Sequence, residues 1–404
     1  MAKNLNKAIC ISMMTGLLGA ATVMTFSDTS TASAKSSYQV KSGKLISTKT
    51  WKMVKGYKVF KSILYKDGKK YTGIYKGYQY KSGKKLTGAY KGIQYKSGKK
   101  YTGTKDGISY KDGKVVSAKT VSKVDKTAIV YVQDKHLLTS LNDVLGHKNL
   151  SQNLKVADLR SLKGTLFLNG DTDERETFGM FDIENIQPLA FCTNISELSI
   201  ANNAIHNLSP LSKLTNLKKL DIRFNNLQSI DSLEKLVNLT ELKVSGNTLK
   251  DVMIVSNLTK LQVLDAWNNK IENLDGIDHL SKLETLNLND NKIKDIPEIA
   301  HLQNLKELNL SNNMVKDIRK LSESKNLETL YLSYNSIFSV EGLEALSHLK
   351  TLYLNNNYLT SMEALGQIKT LTALHIEENE IPAADILPIG TWPSMQDYVH
   401  DFNN

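Results

Sequence analysis

The chain has 404 residues, enough for two or three domains that each bury a core, and its 41% hydrophobic and 23% charged residues exclude both a disordered tail and a polytopic membrane protein. Two cysteines, Cys10 and Cys192, exclude a disulfide scaffold. The net charge of +11 divides unevenly: residues 35–120 hold 23 Lys against 3 Asp and eleven of the 17 tyrosines, which with the +1 of residues 1–34 leaves residues 121–404 at −10. A basic, tyrosine-rich segment joined to a larger acidic one predicts two separate jobs.

Lys3 and Lys7 precede an apolar and small-residue run from Ala8 to Val23, and Ala32-Ser33-Ala34 forms an A-x-A cleavage site before Lys35. Residues 1–34 therefore read as a secretory signal peptide, and the mature chain is expected to be extracytoplasmic, with no membrane span after cleavage. Lys7-Ala8-Ile9 before Cys10 lacks the residues of a lipoprotein cleavage box. Leu387-Pro388-Ile389-Gly390-Thr391 approaches the wall-sorting motif L-P-x-T-G with its last two residues reversed, and no apolar tail follows. Retention at the surface is thus expected to be non-covalent.

Residues 35–120 contain a tandem array. In blocks of fifteen from Tyr65, the tyrosines Tyr65, Tyr80, Tyr95 and Tyr110 share a column, Lys66, Lys81, Lys96 and Lys111 the next, and Gly68, Gly83, Gly98 and Gly113 a third. Asp67-Gly68 and Asp112-Gly113 are two-residue hairpin turns, Ser-Gly pairs replace them elsewhere, and Lys76-Gly77 or Lys91-Gly92 supplies a second turn, so each block predicts two short strands. A lone hairpin is marginal in water, so hairpins must stack into a small all-β array that takes in the looser stretch around Trp51. Tyr78 with Tyr80, Ile93 with Tyr95 and Ile108 with Tyr110 project from one strand face. Those rings serve as core of a thin array in the plainer reading. In the functional one, the Tyr and Lys columns named above bind an anionic cell-wall polymer or polysaccharide, through rings that suit sugar faces and lysines whose pull salt would weaken. Nucleic acid satisfies the same electrostatics but is not expected as partner of an exported protein. The array resembles the short hairpin repeats that tether bacterial surface proteins to wall polysaccharide.

The acidic remainder reads as a curved leucine-rich repeat solenoid, α/β in class, with 22-residue repeats and a parallel β-sheet on its concave face. Asn203, Asn225, Asn247, Asn269, Asn291, Asn313, Asn335, Asn357 and Asn379 recur at a step of 22 without insertion, within the pattern L-x-x-L-x-L-x-x-N-x-L. Leu220 and Ile222 alternate inward on a short strand, and the chain then turns with backbone polar groups entering a dry interior. An asparagine column supplies both donors and acceptors for them. Cys192 falls in the column of Leu214 and Leu236 and is read as a small buried hydrophobe. Thr127–Gly146, with apolar spacing from Ile129 to Leu145, predicts a helical N-terminal cap, and Leu159–Gly170 a degenerate first rung before the polar insertion Asp171–Phe178. Residues 121–185 thus form cap and first repeat, and 186–404 the repeat domain, closed by Ala384–Asn404 with Trp392, Tyr398 and Phe402.

These repeats, the helical cap and the signal peptide resemble the internalin-type leucine-rich repeat proteins of Gram-positive bacteria, over about residues 125–390. The resemblance implies a surface protein whose concave face binds another protein, in some members a host receptor during adhesion or invasion. A sorting signal and an immunoglobulin-like domain after the repeats, present in the best-known members, are not evident here.

Strand alternation places Tyr331, Tyr353 and His375 in one concave column. With Tyr334 and Tyr358 they are expected to form one aromatic patch edged by Glu377 and Glu378, while Phe224 and Trp267 form an earlier, smaller group. Packing between neighbouring strands is the structural alternative for these rings. No G-x-S-x-G, H-E-x-x-H or G-x-x-x-x-G-K-[ST] motif occurs. His279 and His301 share a column continued by Glu323, a fortuitous metal grouping at most; no cofactor and no catalysis are expected. The expectation is a wall-associated, adhesion-type binding protein whose concave face meets a protein. The alternative is a wall-bound regulator or scaffold that recruits or inhibits a wall enzyme and has no host target.

Overall fold

The structure, a computed structural model, describes residues 38–41, 44–47, 57–60, 63–66, 69–75, 78–82, 84–105, 108–118, 120–170, 183–297 and 299–400. The signal-peptide reading of 1–34, Trp51, the turns Asp67-Gly68 and Lys76-Gly77, the Asp171–Phe178 insertion and Phe402 lie outside them, as does the side chain of Tyr65.

By contact the chain divides into two compact units, Met1–Leu86 and Thr87–Asn404. In the first unit the strands Tyr38–Lys41, Lys44–Ser47, Lys69–Lys70, Ile63–Lys66 and Tyr57–Phe60 form one antiparallel sheet in that spatial order. A three-stranded meander follows, built from Gly73–Tyr75, Tyr78–Lys81 and Lys84–Lys85. Each fifteen-residue block therefore has three strands where two were expected. The additional strand is the Lys-Lys pair after the turn, which folds back so that Lys85 pairs with Tyr80 and Lys84 with Lys81.

In the second unit the same meander appears twice, as Gly88–Tyr90, Ile93–Lys96 and Lys99–Lys100, then Gly103–Lys105, Ile108–Lys111 and Lys114–Ala118. Ser97-Gly98 and Asp112-Gly113 all have positive φ, between 49° and 82°, as a two-residue turn of this hand requires. One threonine per block fastens each turn: the hydroxyls of Thr87 and Thr102 accept from the N–H of Ser97 and Asp112, both at 3.0 Å. The last meander merges with the cap, because Val115 is fully buried and its N–H donates to the Ile129 carbonyl at 2.7 Å.

The cap helix spans only Lys135–Val144. Ile129 and Tyr131 are held extended, with the Ile129 N–H donating to Gly92 and the Tyr131 N–H to Val115, so the apolar spacing before residue 134 belongs to extended chain rather than helix. Asp134 fixes the start: one carboxylate oxygen accepts the Leu137 N–H at 3.0 Å and the other the Glu184 and Asn185 N–H groups at 2.8 and 3.1 Å. A second helix, Val156–Ser161, takes up Leu159, so the first rung begins at Gly164.

Eleven parallel strands then make one sheet, from Gly164–Phe167 through Ile195–Ser199 to Asp397–Val399. Register is fixed residue on residue, Leu220 to Leu242 to Leu264 and onward to Leu374, each at most 2% exposed. Truncating any of these to Ala costs about 2–5 kcal/mol. The asparagine column is a ladder between rungs. In all nine, Oδ1 accepts the N–H of the residue twenty positions earlier at 2.9–3.1 Å. Nδ2 donates to the carbonyls two and three residues before it and to one on the preceding rung, from Asn203 to Leu168 and from Asn225 to Ile200 onward. The residue before each ladder Asn, from Asn202 to Glu378, has φ between 51° and 65°.

A second ladder runs along the other side of the coil. Asn216, Asn238, Asn304 and Asn326 donate to carbonyls of the preceding repeat at 2.7–2.9 Å. The end is closed by Trp392, 2% exposed, whose Nε1–H donates to the Leu365 carbonyl at 3.0 Å, and by Tyr398 edge-on to it at 5.4 Å. Cys192 is fully buried, and burial pushes its thiol up to about 12.

Candidate docking face of the solenoid

Three adjacent strands, Thr329–Tyr331, Thr351–Tyr353 and Ala373–His375, carry an aromatic residue at the same place. Strand register brings these residues side by side, Tyr331 opposite Tyr353 and Tyr353 opposite His375. Their rings stack in a row, with centroids 5.1 Å and then 4.4 Å apart at 26° and 21°. Burial, then the nearby Glu307 carboxylate, raises the Tyr331 hydroxyl above its usual range. His375 Nε2 meets an Asp397 oxygen at 2.8 Å, so the terminal strand anchors the far end of the row.

Beside the row lies an open hollow of about 660 Å³, bordered by Tyr334, Tyr353, His375 and Glu377 with the amides of Asn309 and Asn355. Tyr334 is 58% exposed and sits at the left-handed position of its rung. It shares that conformation with the residue before each of the other ladder asparagines, so the turn of the repeat, not the patch, sets its backbone.

Tyr358 does not join this patch. It follows the ladder residue Asn357, where the chain has already turned away from the strand, and stacks on Phe338 at 5.5 Å. That pair, 46% and 56% exposed, forms a separate surface group that strand alternation could not reveal.

The earlier group does assemble, Phe224 meeting Trp267 edge-on at 5.6 Å. Phe224 also occupies a left-handed position, at φ 51°. Around it the concave face is charged but internally matched. Arg223 forks onto Asp221 at 3.0 and 2.8 Å, and Lys243 reaches Glu241 at 2.6 Å. The Lys243 hydrogen bond holds Glu241 below the usual carboxylate range, whereas burial raises Asp265 despite Arg223 and Lys243 nearby.

In the basic array Lys66, Lys81, Lys96 and Lys111 are exposed, and Tyr80, Tyr95 and Tyr110 half-buried. Burial raises Tyr80 and Tyr95 above the usual phenol range, with neighbouring tyrosines adding to it. Lysines also lie over rings, Lys85 over Tyr78 at 3.7 Å and Lys111 over Tyr131 at 4.7 Å. Tyr110 and Ile108 lean on the solenoid core, which gives that copy a structural duty. His279 bonds the adjacent Asp278 at 3.0 Å, and among the described residues no three His, Cys, Asp or Glu gather in a way that could hold a metal.

The family described as Leucine Rich repeats (2 copies) matches residues 215–258, 259–301, 303–348 and 325–367. Among solved structures, the functional domain of InlJ from Listeria monocytogenes, which includes a cysteine ladder, is 20% identical over 66% of this chain and 59% of that one, with a TM-score of 0.54. The internalin InlF of L. monocytogenes 4b F2365 is 24% identical over 67% and 96%, with a TM-score of 0.36. Internalin C2 of the same strain is 23% identical over 60% and 93%, with a TM-score of 0.45. Comparison with curated proteins finds no match. Residues 215–367 thus match leucine-rich repeats, and the solenoid is internalin-like in fold.

Proposed function

We propose that this is an exported, non-enzymatic binding protein of a Gram-positive cell surface. Its lysine-tyrosine repeats hold it to anionic wall polymer, and the late concave face docks a protein partner in an adhesion-type role. The observation that carries the docking half is the stacked row of Tyr331, Tyr353 and His375 beside an open hollow. Rings that already hold one another lose little side-chain freedom on docking, and tyrosine is a favoured interface anchor. Retention rests on the exposed lysine column, whose attraction for polyanions falls with ionic strength.

The test immobilises the full chain, wild type and Tyr331→Ala/Tyr353→Ala, and challenges both with solubilised surface proteins. A partner held by the wild type and bound at least tenfold more weakly by the variant, with an unchanged melting transition, supports the reading. Equal retention overturns it. For the repeats, release from isolated walls as salt is raised is the expected result, and failure to bind at low salt overturns that half.

A further inference from the structure

The geometry points to a guanidinium as the group that the partner inserts beside the aromatic row, with Glu377 as its counter-charge. This deepens the docking proposal and rests on it. The early concave charges are satisfied within the chain, Arg223 by Asp221 and both Lys219 and Lys243 by Glu241. Glu377 is different. One of its carboxylate oxygens is shielded from water and has no hydrogen-bond partner among the described residues. The other stands 4.0 Å from His375 Nδ1, beyond hydrogen-bond length.

A carboxylate with one oxygen buried and without a donor is costly in the free protein, and because the Glu377 side chain is 25% exposed, a cation brought by a partner can offset its charge. The hollow holds no Lys or Arg to answer that charge: Glu377 is the sole formally charged group among its described lining residues, and the rest are amides, hydroxyls and rings. The whole acidic portion, at −10 over residues 121–404, favours a basic visitor. Between the two cationic side chains, the guanidinium fits better. Its planar face packs against the tyrosine and imidazole rings, its fork matches a carboxylate, and its remaining N–H groups meet amide and hydroxyl oxygens such as those of Asn289 and Ser311. The partner is therefore a protein segment that presents an exposed arginine.

The experiment titrates the full chain with N-acetyl-arginine amide and with its neutral citrulline counterpart, following the imidazole signals of His375 by NMR. A saturable shift with arginine, at least tenfold weaker with citrulline and equally weakened in Glu377→Gln, is the expected result. A matching response to citrulline, or an unchanged one in Glu377→Gln, overturns the assignment. So does Glu377-dependent self-association, which would trace the cation to the chain's own lysines. If a partner captured by the wild type is lost by Tyr331→Ala/Tyr353→Ala but kept by Glu377→Gln, this inference fails while the docking face stands.

Discussion

The ring of Phe224 fills the space that a β-carbon on Gly246, one rung later, would need. Gly246 also has φ 65°, so an added methyl there meets both backbone strain and the ring. Gly246→Ala is expected to destabilise the solenoid by about 2–4 kcal/mol from strain and overpacking together. In a Phe224→Ala background the same substitution should cost at least 1 kcal/mol less, which a double-mutant cycle in denaturant measures.

Asn291 joins two rungs through one accepted and three donated hydrogen bonds. Asn291→Ala orphans the Ile271 N–H, weakens three buried carbonyls and is expected to cost about 2–4 kcal/mol. Asn291→Asp keeps the acceptor but turns a second oxygen toward those carbonyls, so the midpoint in urea should fall further still.

Much of this architecture is legible in the sequence because each column repeats a single physical demand. Asn203 to Asn379 answer the same buried turn nine times, and Leu220 to Leu374 the same inward strand position. The second amide ladder escapes notice because Lys260 and Lys282 interrupt its step and His348, which takes the Lys325 carbonyl at 2.9 Å, continues it with a different side chain. The left-handed column is hidden by its variety, although Asn202, Asn268, Asp290, Asn312 and Asn356 are the residue types that tolerate it. Of the concave patch, Tyr331, Tyr353 and His375 follow from alternation alone. Tyr334 and Tyr358 lie where the chain turns, and period-2 reasoning says nothing about which side a turn residue faces.

The C-terminal closure rests on Trp392 under Leu365 and on Tyr398, whose hydroxyl donates to the Leu387 carbonyl at 2.9 Å. Trp392→Ala leaves a cavity and is expected to loosen the end locally, since a repeat contacts only its neighbours. Hydrogen exchange should accelerate at the strands Ala373–His375 and Asp397–Val399, with no change at Lys219–Asp221 or Glu241–Lys243.

Burial pushes both the Cys192 thiol and the Tyr398 hydroxyl up to about 12, above their unfolded values near 9 and 10. Each group is neutral below those unfolded values, so its contribution to stability is complete there. It is lost as pH rises toward the folded values, because the unfolded chain ionises first. Chemical denaturation should therefore show stability falling between about pH 9 and 12. At pH 8 the folded protein should leave Cys192 unmodified by a thiol reagent that labels the unfolded chain at once.

The most direct test of the docking face is a tyrosine-modification footprint on the full chain, alone and with its captured partner. Tyr334 and Tyr358 are both well exposed, on different surfaces of neighbouring rungs, and so serve as opposed reporters. The account predicts that the partner shields Tyr334, with Tyr331 and Tyr353, while Tyr358 reacts as before. Shielding of Tyr358 with Tyr334 still reactive would place the partner on the flank and contradict it.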